Sequence, residues 1–310
     1  MSLIRTPFGF ASSAAEVVSG VDLRGRRAVV TGASSGLGVE TARGLATAGA
    51  DVTLAVRDHA AGQTAAKDIA SSTGNDAIHV AVLDLTDLRS IAAFSAGWSG
   101  PLDILVNNAG VMASPELYTE YGWELQFATN HLGHFALANS LHPALTAAGD
   151  ARIVVVTSKA HMNSPVIFDD LNFAFRAYDP WLAYGQSKTA NVLFAVEASR
   201  RWASDGITAN AVMPGAIHTN LQRHSGGSGK VPPELIKTVE QGAATSTLVA
   251  TSPLLEGIGG RYFADCNEAE TVDRRRPGLG DVARFALDPA NAERLWTVSD
   301  DLVAAASRRS

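Results

Sequence analysis

Short runs of consecutive apolar residues recur at 28–30, 52–56, 77–83, 103–106, 152–156, 207–212 and 260–263. Between them lie longer segments rich in Ala, Leu and Glu, with apolar positions spaced as on a helix face. Such alternation reads as repeated strand–helix units, which pair their strands parallel and lay helices over both faces of the sheet. Ile153-Val154-Val155-Val156 contains no polar residue, as expected of a strand buried on both sides. The pattern therefore predicts an α/β fold: a doubly wound, mostly parallel sheet of seven strands, one per run, in a single domain over 25–310. Residues 1–24 read as an N-terminal extension, where Ser13 and Glu16 have capping-box spacing and predict a short helix before Val21. Two stretches leave the alternating pattern. One is 160–182, with Phe168, Phe173, Phe175, Tyr178 and Trp181; the other is 216–242, with Ser225-Gly226-Gly227-Ser228-Gly229.

Ligands of an open parallel sheet bind beyond the carboxyl ends of its strands, so the residues after each run carry the candidate chemistry. Thr31-Gly32-Ala33-Ser34-Ser35-Gly36-Leu37-Gly38 follows the first run and opens a helical segment that extends to Gly49. Glycines there allow a tight turn and close backbone approach, and the N–H groups and positive end of the helix attract a pyrophosphate. The later runs are followed by Arg57, Asp84, Asn107-Asn108-Ala109-Gly110, Thr157-Ser158 and Pro214-Gly215. Loops are polar in any fold, which accounts for part of this pattern but not for the particular residues. Asp84 equally suits the N-cap of a helix over 86–97. Asp179-Pro180 supplies an N-cap and first-turn proline for another helix, which sets Tyr184 and Lys188 one turn apart on one face. An ammonium beside a phenol stabilises the phenolate, so this spacing predicts a lowered Tyr184 pKa and acid–base chemistry near neutral pH.

Taken in order, these motifs resemble the short-chain dehydrogenase/reductase family. They are T-G-x-x-x-G-x-G from Thr31 to Gly38, Asn107-Asn108-Ala109-Gly110, Asn130, Ser158, Tyr184-x-x-x-Lys188 and Pro214-Gly215, and the resemblance runs from about Val21 to Leu302. The segments Asn130-His131-Leu132-Gly133-His134-Phe135, Tyr184-Gly185-Gln186-Ser187-Lys188-Thr189-Ala190-Asn191 and Gly260-Arg261-Tyr262-Phe263-Ala264-Asp265-Cys266 are similar to its retinol-dehydrogenase-like branch. The resemblance implies a Rossmann-type fold and hydride transfer between a nicotinamide dinucleotide and a carbonyl or alcohol carbon. In that reading Ser158 bonds the substrate oxygen, Tyr184 exchanges the proton, and Lys188 tunes Tyr184 and binds the nicotinamide ribose. Asn130 would position a water that links Lys188 to solvent; from the residues alone it equally reads as a buried amide satisfied by backbone.

The resemblance also distributes the cofactor contacts. Gly32, Ser34, Ser35, Gly36, Leu37 and Gly38 would cradle the pyrophosphate, Asp84 and Leu85 the adenine, and Asn108, Ala109 and Gly110 the adenosine ribose. Pro214, Gly215, Ile217 and Thr219 would clamp the nicotinamide. Ser158 and Tyr184 stand 26 positions apart, well beyond the separation of compact members, because 160–182 is inserted between them. Val56 occupies the position where a carboxylate would repel a 2′-phosphate, and Arg57 follows it, so NADP(H) is expected over NAD(H). Pairing of Arg57 with Asp58 is the alternative.

Composition narrows the remaining choices. A formal charge of −6 over 310 residues gives no basic field for nucleic acid. The lone Cys266 excludes an intrachain disulfide or a cysteine-based zinc cluster, and the eight histidines show no metal-site spacing, so no metal is expected. No apolar run approaches membrane-helix length and no signal-type leader is recognisable; the expectation is a cytoplasmic enzyme without membrane anchor. A homodimer or homotetramer through helical faces follows from the resemblance. The two excursions are expected to select an apolar or aromatic ketone or aldehyde, although aromatic residues commonly serve packing and half or more of these five would do so. The competing functions are a dinucleotide-sensing binding protein without chemistry and a sugar-nucleotide epimerase or dehydratase.

Overall fold

Each apolar run becomes a strand within a residue or two of its sequence limits: β1 (Arg27–Thr31), β2 (Asp51–Val56), β3 (Ile78–Val82), β4 (Ile104–Asn107), β5 (Arg152–Val156) and β6 (Thr208–Met213). The last run forms Tyr262–Ala264, which pairs parallel with β6. The computed structural model describes residues 2–219, 221 and 231–308; the glycine-rich run 225–229 lies outside them. Seven parallel strands thus match the sequence reading. An eighth, Asn267–Glu268, turns back antiparallel on Tyr262–Ala264, and its two residues are too few to leave a hydrophobic pattern. Asp265 and Cys266 make that turn, both with positive φ (49° and 60°), the geometry of a tight two-residue hairpin.

The sheet order runs β3-β2-β1-β4-β5-β6, followed by Tyr262–Ala264 and Asn267–Glu268. Side chains alternate across it. Val30, Leu54, Val106 and Val154 join one core, and Val29, Ala55, Leu105 and Ile153 the other. The first core is closed by the helices α1 (Ala14–Val17), α2 (Gly36–Thr47), α3 (His59–Thr73) and Val239–Thr251, through Val17, Leu45, Ile69 and Leu248. The second is closed by α4 (Leu88–Ala96), Gly133–Ser140, Pro180–Arg201 and Pro289–Ser307, through Ile91, Leu137, Leu193 and Leu295. Residues before 25 are stitched to this body. Ser13 caps α1 in a complete capping box with Glu16. Thr6 N donates to Asn267 Oδ1 at 2.9 Å, and Glu268 N donates to the Ile4 carbonyl at 3.1 Å.

The chain reverses its direction of progress across the sheet between β1 and β4, which are hydrogen-bonded neighbours. Loops leaving two such strands diverge to opposite faces and open a crevice at their carboxyl ends. That crevice positions the site.

Candidate active site

A cleft of about 1210 Å³ opens beyond the carboxyl ends of the strands. Every site residue inferred from sequence lines it except Asn130, which lies one layer behind. The turn after β1 is shaped by glycines. A Cβ on Gly32 would lie 2.9 Å from Ala109 Cα, and one on Gly38 would lie 2.6 Å from the Gly32 carbonyl oxygen. Ser35 occupies the N-cap of α2 without a side-chain bond to it, so the first N–H groups of that helix face the cleft uncapped. This arrangement fits a pyrophosphate. Above it, Thr219 Cγ2 would be 3.4 Å from a Cβ on Gly36, so the segment after β6 crosses directly over the glycine turn.

Thr31 ties the loops after β1 and β4 together. Its hydroxyl accepts from the N–H groups of Asn108 and Ala109, each at 2.9 Å, and Asn108 Nδ2 donates back to the Thr31 carbonyl at 2.8 Å. Gly110 then passes the catalytic side chains, where a Cβ would lie 3.0 Å from Asn130 Oδ1 and 3.6 Å from Lys188 Nζ. Asn130 sits within a π-helical turn, Ala128–Leu132. Its Oδ1 accepts from Val111 N at 2.8 Å, and its Nδ2 donates to the Val111 carbonyl at 3.0 Å and to Ser187 Oγ at 2.9 Å. The side chain is thus a fully buried amide with its bonds committed within the protein.

Tyr184 and Lys188 stand on the 22-residue helix Pro180–Arg201, where Asp179 caps the first turn by accepting from Trp181 N and Leu182 N. Lys188 Nζ lies 5.6 Å from the centroid of the Tyr184 ring and donates to the Val156 carbonyl at 3.1 Å. Thr157 Oγ1 donates to the Lys188 carbonyl at 2.8 Å, locking the helix to the end of β5. Ser158 follows, and its carbonyl accepts from His161 Nδ1 at 2.7 Å while Ala283 N donates to His161 Nε2 at 3.0 Å. A neutral imidazole with the proton on Nδ1 satisfies both contacts. It braces the Ser158 turn against the C-terminal segment.

Burial pushes the Tyr184 phenol up to about 12, with the neighbouring Ser158 hydroxyl drawing it the other way. This direction is the reverse of the sequence expectation. Spacing brings the ammonium near the ring, but desolvation draws Lys188 down to about 7, and its hydrogen bond goes to backbone. Burial thus sets the direction for both groups.

Across the sheet, Arg57 is exposed at the cleft rim after β2, while Asp58 caps α3 by accepting from Ala61 N at 3.1 Å. Asp84 does not cap the next helix. That helix begins at Leu88 with Asp87 as its N-cap, and Asp84 Oδ1 instead accepts from Thr86 N at 2.9 Å and Thr86 Oγ1 at 2.7 Å. Leu85 is pinned from behind, because a Cβ on Gly133 would fall 2.2 Å from its carbonyl oxygen. The clamp after β6 contains Gly215 at φ 107°, whose N–H donates to Met213 Sδ at 2.9 Å. Ile217 is buried, and the pair Ala216–Ile217 bonds in parallel to Ile236–Lys237.

Of the five aromatics in 160–182, only Trp181 lines the cleft. Phe173 is buried against Tyr178 and Arg176, Phe168 lies under Arg294, and Tyr178 bonds the Ser114 carbonyl. Phe175 is 89% exposed. His161 is a contributor that the sequence analysis did not name, and Thr31, His134 and Thr157 were named only as members of motifs, with no role of their own. Thr31 opens the glycine motif and Thr157 precedes Ser158, so adjacency was their one available signal.

A glycine-shaped crevice at a switch point, ending in Ser158, Tyr184 and Lys188, is the arrangement of a Rossmann-type dinucleotide-dependent oxidoreductase. The family model for short chain dehydrogenases matches residues 26–227. The chain belongs to the short-chain dehydrogenase/reductase family, within its retinol-dehydrogenase-like branch. It is 54% identical to a "Probable oxidoreductase" of Streptomyces lividans over 298 residues, which cover 92% of this chain and 100% of that protein. It is 40% identical to human retinol dehydrogenase 13 over 291 residues, covering 90% of this chain and 85% of the relative. Among solved structures it is similar to an uncharacterized protein from Mycobacterium paratuberculosis, with a TM-score of 0.75, 38% identity and coverage of 95% and 98% of the two chains. Among the described residues, no helix is long and apolar enough to cross a membrane, and no three His, Cys, Asp or Glu side chains gather as a metal site.

Proposed function

We propose that the protein is an NADP(H)-dependent oxidoreductase that interconverts a carbonyl compound and an alcohol, with Tyr184 as general acid and base. The observation that carries this reading is the convergence of Ser158, Tyr184 and Lys188 in the same cleft whose other wall is the glycine turn. A nicotinamide dinucleotide, when bound, supplies or accepts the hydride. The chain's own groups handle the oxygen: the Ser158 hydroxyl donates to it, and Tyr184 gives or takes its proton. Lys188 stands one turn from Tyr184, placed for the ribose hydroxyls and for tuning the phenol. Asn130 backs Gly110 and Lys188 from behind the cleft wall.

Preference for the 2′-phosphorylated cofactor is supported by Arg57. Its guanidinium is exposed at the rim, and the nearest acid in sequence, Asp58, is engaged at a helix cap. An apolar or aromatic substrate body is supported by the cleft walls Met112, Leu125, Trp181 and Leu279. A cytoplasmic setting and a single catalytic domain over 25–310 complete the proposal. The test is nicotinamide absorbance with NADPH or NADP⁺ across a panel of aliphatic and aromatic aldehydes, ketones and alcohols. Turnover of at least one class is expected; tight dinucleotide binding without turnover of any would favour a sensing protein.

A further inference from the structure

The catalytic end of the cleft holds cationic groups that hydride transfer leaves unused. Lys159 directly follows Ser158 and lines the same cleft. Its Nζ is buried and has no hydrogen-bond partner among the described residues. Buried ammonium groups are ordinarily paired, because losing water without compensation is costly. The charged groups that face it are Asp281, Arg275 and Arg276. Asp281 is committed elsewhere: its two oxygens accept from Arg276, at 2.7 Å from the terminal nitrogen and 3.1 Å from Nε. Arg275 also lines the cleft, and its guanidinium donates to Asn163 Oδ1 at 2.7 Å rather than to an acid.

The acids along the cleft are confined to one end. Asp58 and Asp84, which follow β2 and β3, share that end with Arg57, whereas Lys159, Lys188 and Arg275 gather around the end of β5 with no acidic lining residue among them. Lys188 is already bonded to the Val156 carbonyl. Lys159 and Arg275 therefore stand at the substrate end with no carboxylate hydrogen-bonded to either, and the one acid near Lys159 among the described residues, Asp281, is held by Arg276. Burial also lowers the Lys159 pKa, as expected of an ammonium awaiting a counter-ion.

We propose that Lys159 and Arg275 form an anion subsite beside Ser158 that takes the carboxylate of the substrate. The substrate class is then an oxo acid or hydroxy acid whose apolar body lies against Trp181 and Leu279. This rests on the hydride-transfer reading of the cleft and deepens it. A charge-assisted bond to a group remote from the reacting carbon is made equally in ground and transition states, so it acts on KM more than on kcat.

Two measurements separate the subsite from the chemistry. Calorimetry compares 3-phenylpropionate with the uncharged 3-phenylpropionamide on the enzyme saturated with NADP⁺. The acid is expected to bind about tenfold tighter or more, and Lys159→Met should erase that advantage while Lys159→Arg restores part of it. Arg275→Ala, on an exposed segment, should reduce the advantage and serves as the second variant if Lys159→Met melts at a lower temperature. Equal binding of acid and amide by the parent would overturn the proposal, as would an acid advantage that survives in both variants. Kinetics then compares 4-oxo-4-phenylbutyrate with its methyl ester, and a lower KM for the acid is expected. Carboxylate-selective binding with no reduction of either ketone would sustain the subsite and count against the hydride-transfer reading.

Discussion

His134 Nε2 lies 2.9 Å from the Thr31 hydroxyl, and the same ring reaches the Asn130 carbonyl through Nδ1 at 2.9 Å. Carbonyls only accept, so Nδ1 holds the proton and Thr31 donates to Nε2. The imidazole thereby links the loop that holds Asn108 and Ala109 to the turn that holds Asn130. In His134→Phe the Thr31 hydroxyl still accepts from Asn108 N and Ala109 N, but its proton is left with the longer 3.3 Å contact to the Val106 carbonyl. The expected cost is about 1–3 kcal/mol of stability, together with weaker dinucleotide binding as the Asn108 loop loosens. Urea unfolding and cofactor fluorescence titration check both; an unchanged midpoint and Kd would remove the coupling.

Tyr184→Phe should keep cofactor binding and ring packing but lose about 10²–10⁴-fold in kcat, the usual share of a positioned acid–base group. Lys188→Met should weaken both binding and turnover. Steady-state kinetics on one active substrate, paired with cofactor titration, reads the difference. Near-normal kcat in Tyr184→Phe would rule out its role as proton carrier.

For Arg57→Ala the expectation is a drop of about tenfold or more in kcat/KM for NADPH with little change for NADH, as when one charged partner of a phosphate is lost. Parent enzyme that prefers NADH, or a variant that treats NADPH as the parent does, would contradict the cofactor assignment.

Acid should unfold this protein earlier than its carboxylates alone require. Burial holds His131 down to about 3 and both His134 and His161 down to about 4, against an ordinary value of 6.5. The unfolded chain therefore binds these protons first. Stability from the neutral rings is complete above pH 6.5 and falls as pH drops from there toward 4, by up to about 1.4 kcal/mol per pH unit for each ring. Urea midpoints between pH 7.5 and 4.5 should fall, and His161→Gln should flatten the slope. A midpoint independent of pH over that range would show that the rings protonate freely in the folded state.

The strands and the residues at their carboxyl ends were legible because burial on both faces leaves uninterrupted apolar runs, and glycine turns follow them directly. The π-helical turn at Asn130 was not, since a shift from i−4 to i−5 bonding leaves no compositional trace in Ala128-Thr129-Asn130. Nor could the sequence rank Phe175 against Trp181. Both lie in one aromatic insertion, and only tertiary packing sends one into solvent and the other to the cleft. Tyr184 shows the same limit in electrostatics: helical spacing reveals a neighbouring ammonium, whereas the desolvation that outweighs it depends on the whole surrounding core.

Residues 4–6 occupy the outer flank of Asn267–Glu268, where Ile4 N donates to Glu268 Oε2 at 2.9 Å and Thr6 Oγ1 to the Cys266 carbonyl at 2.9 Å. A sheet border with its backbone groups already engaged offers no template to a strand from another molecule. At the far end β3 pairs with β2 alone among the described strands, and Val82 there is 53% exposed. Strand addition is thereby polarised. A second chain could lengthen this sheet at β3, whereas at the other border it would first have to peel away the arm that seals it.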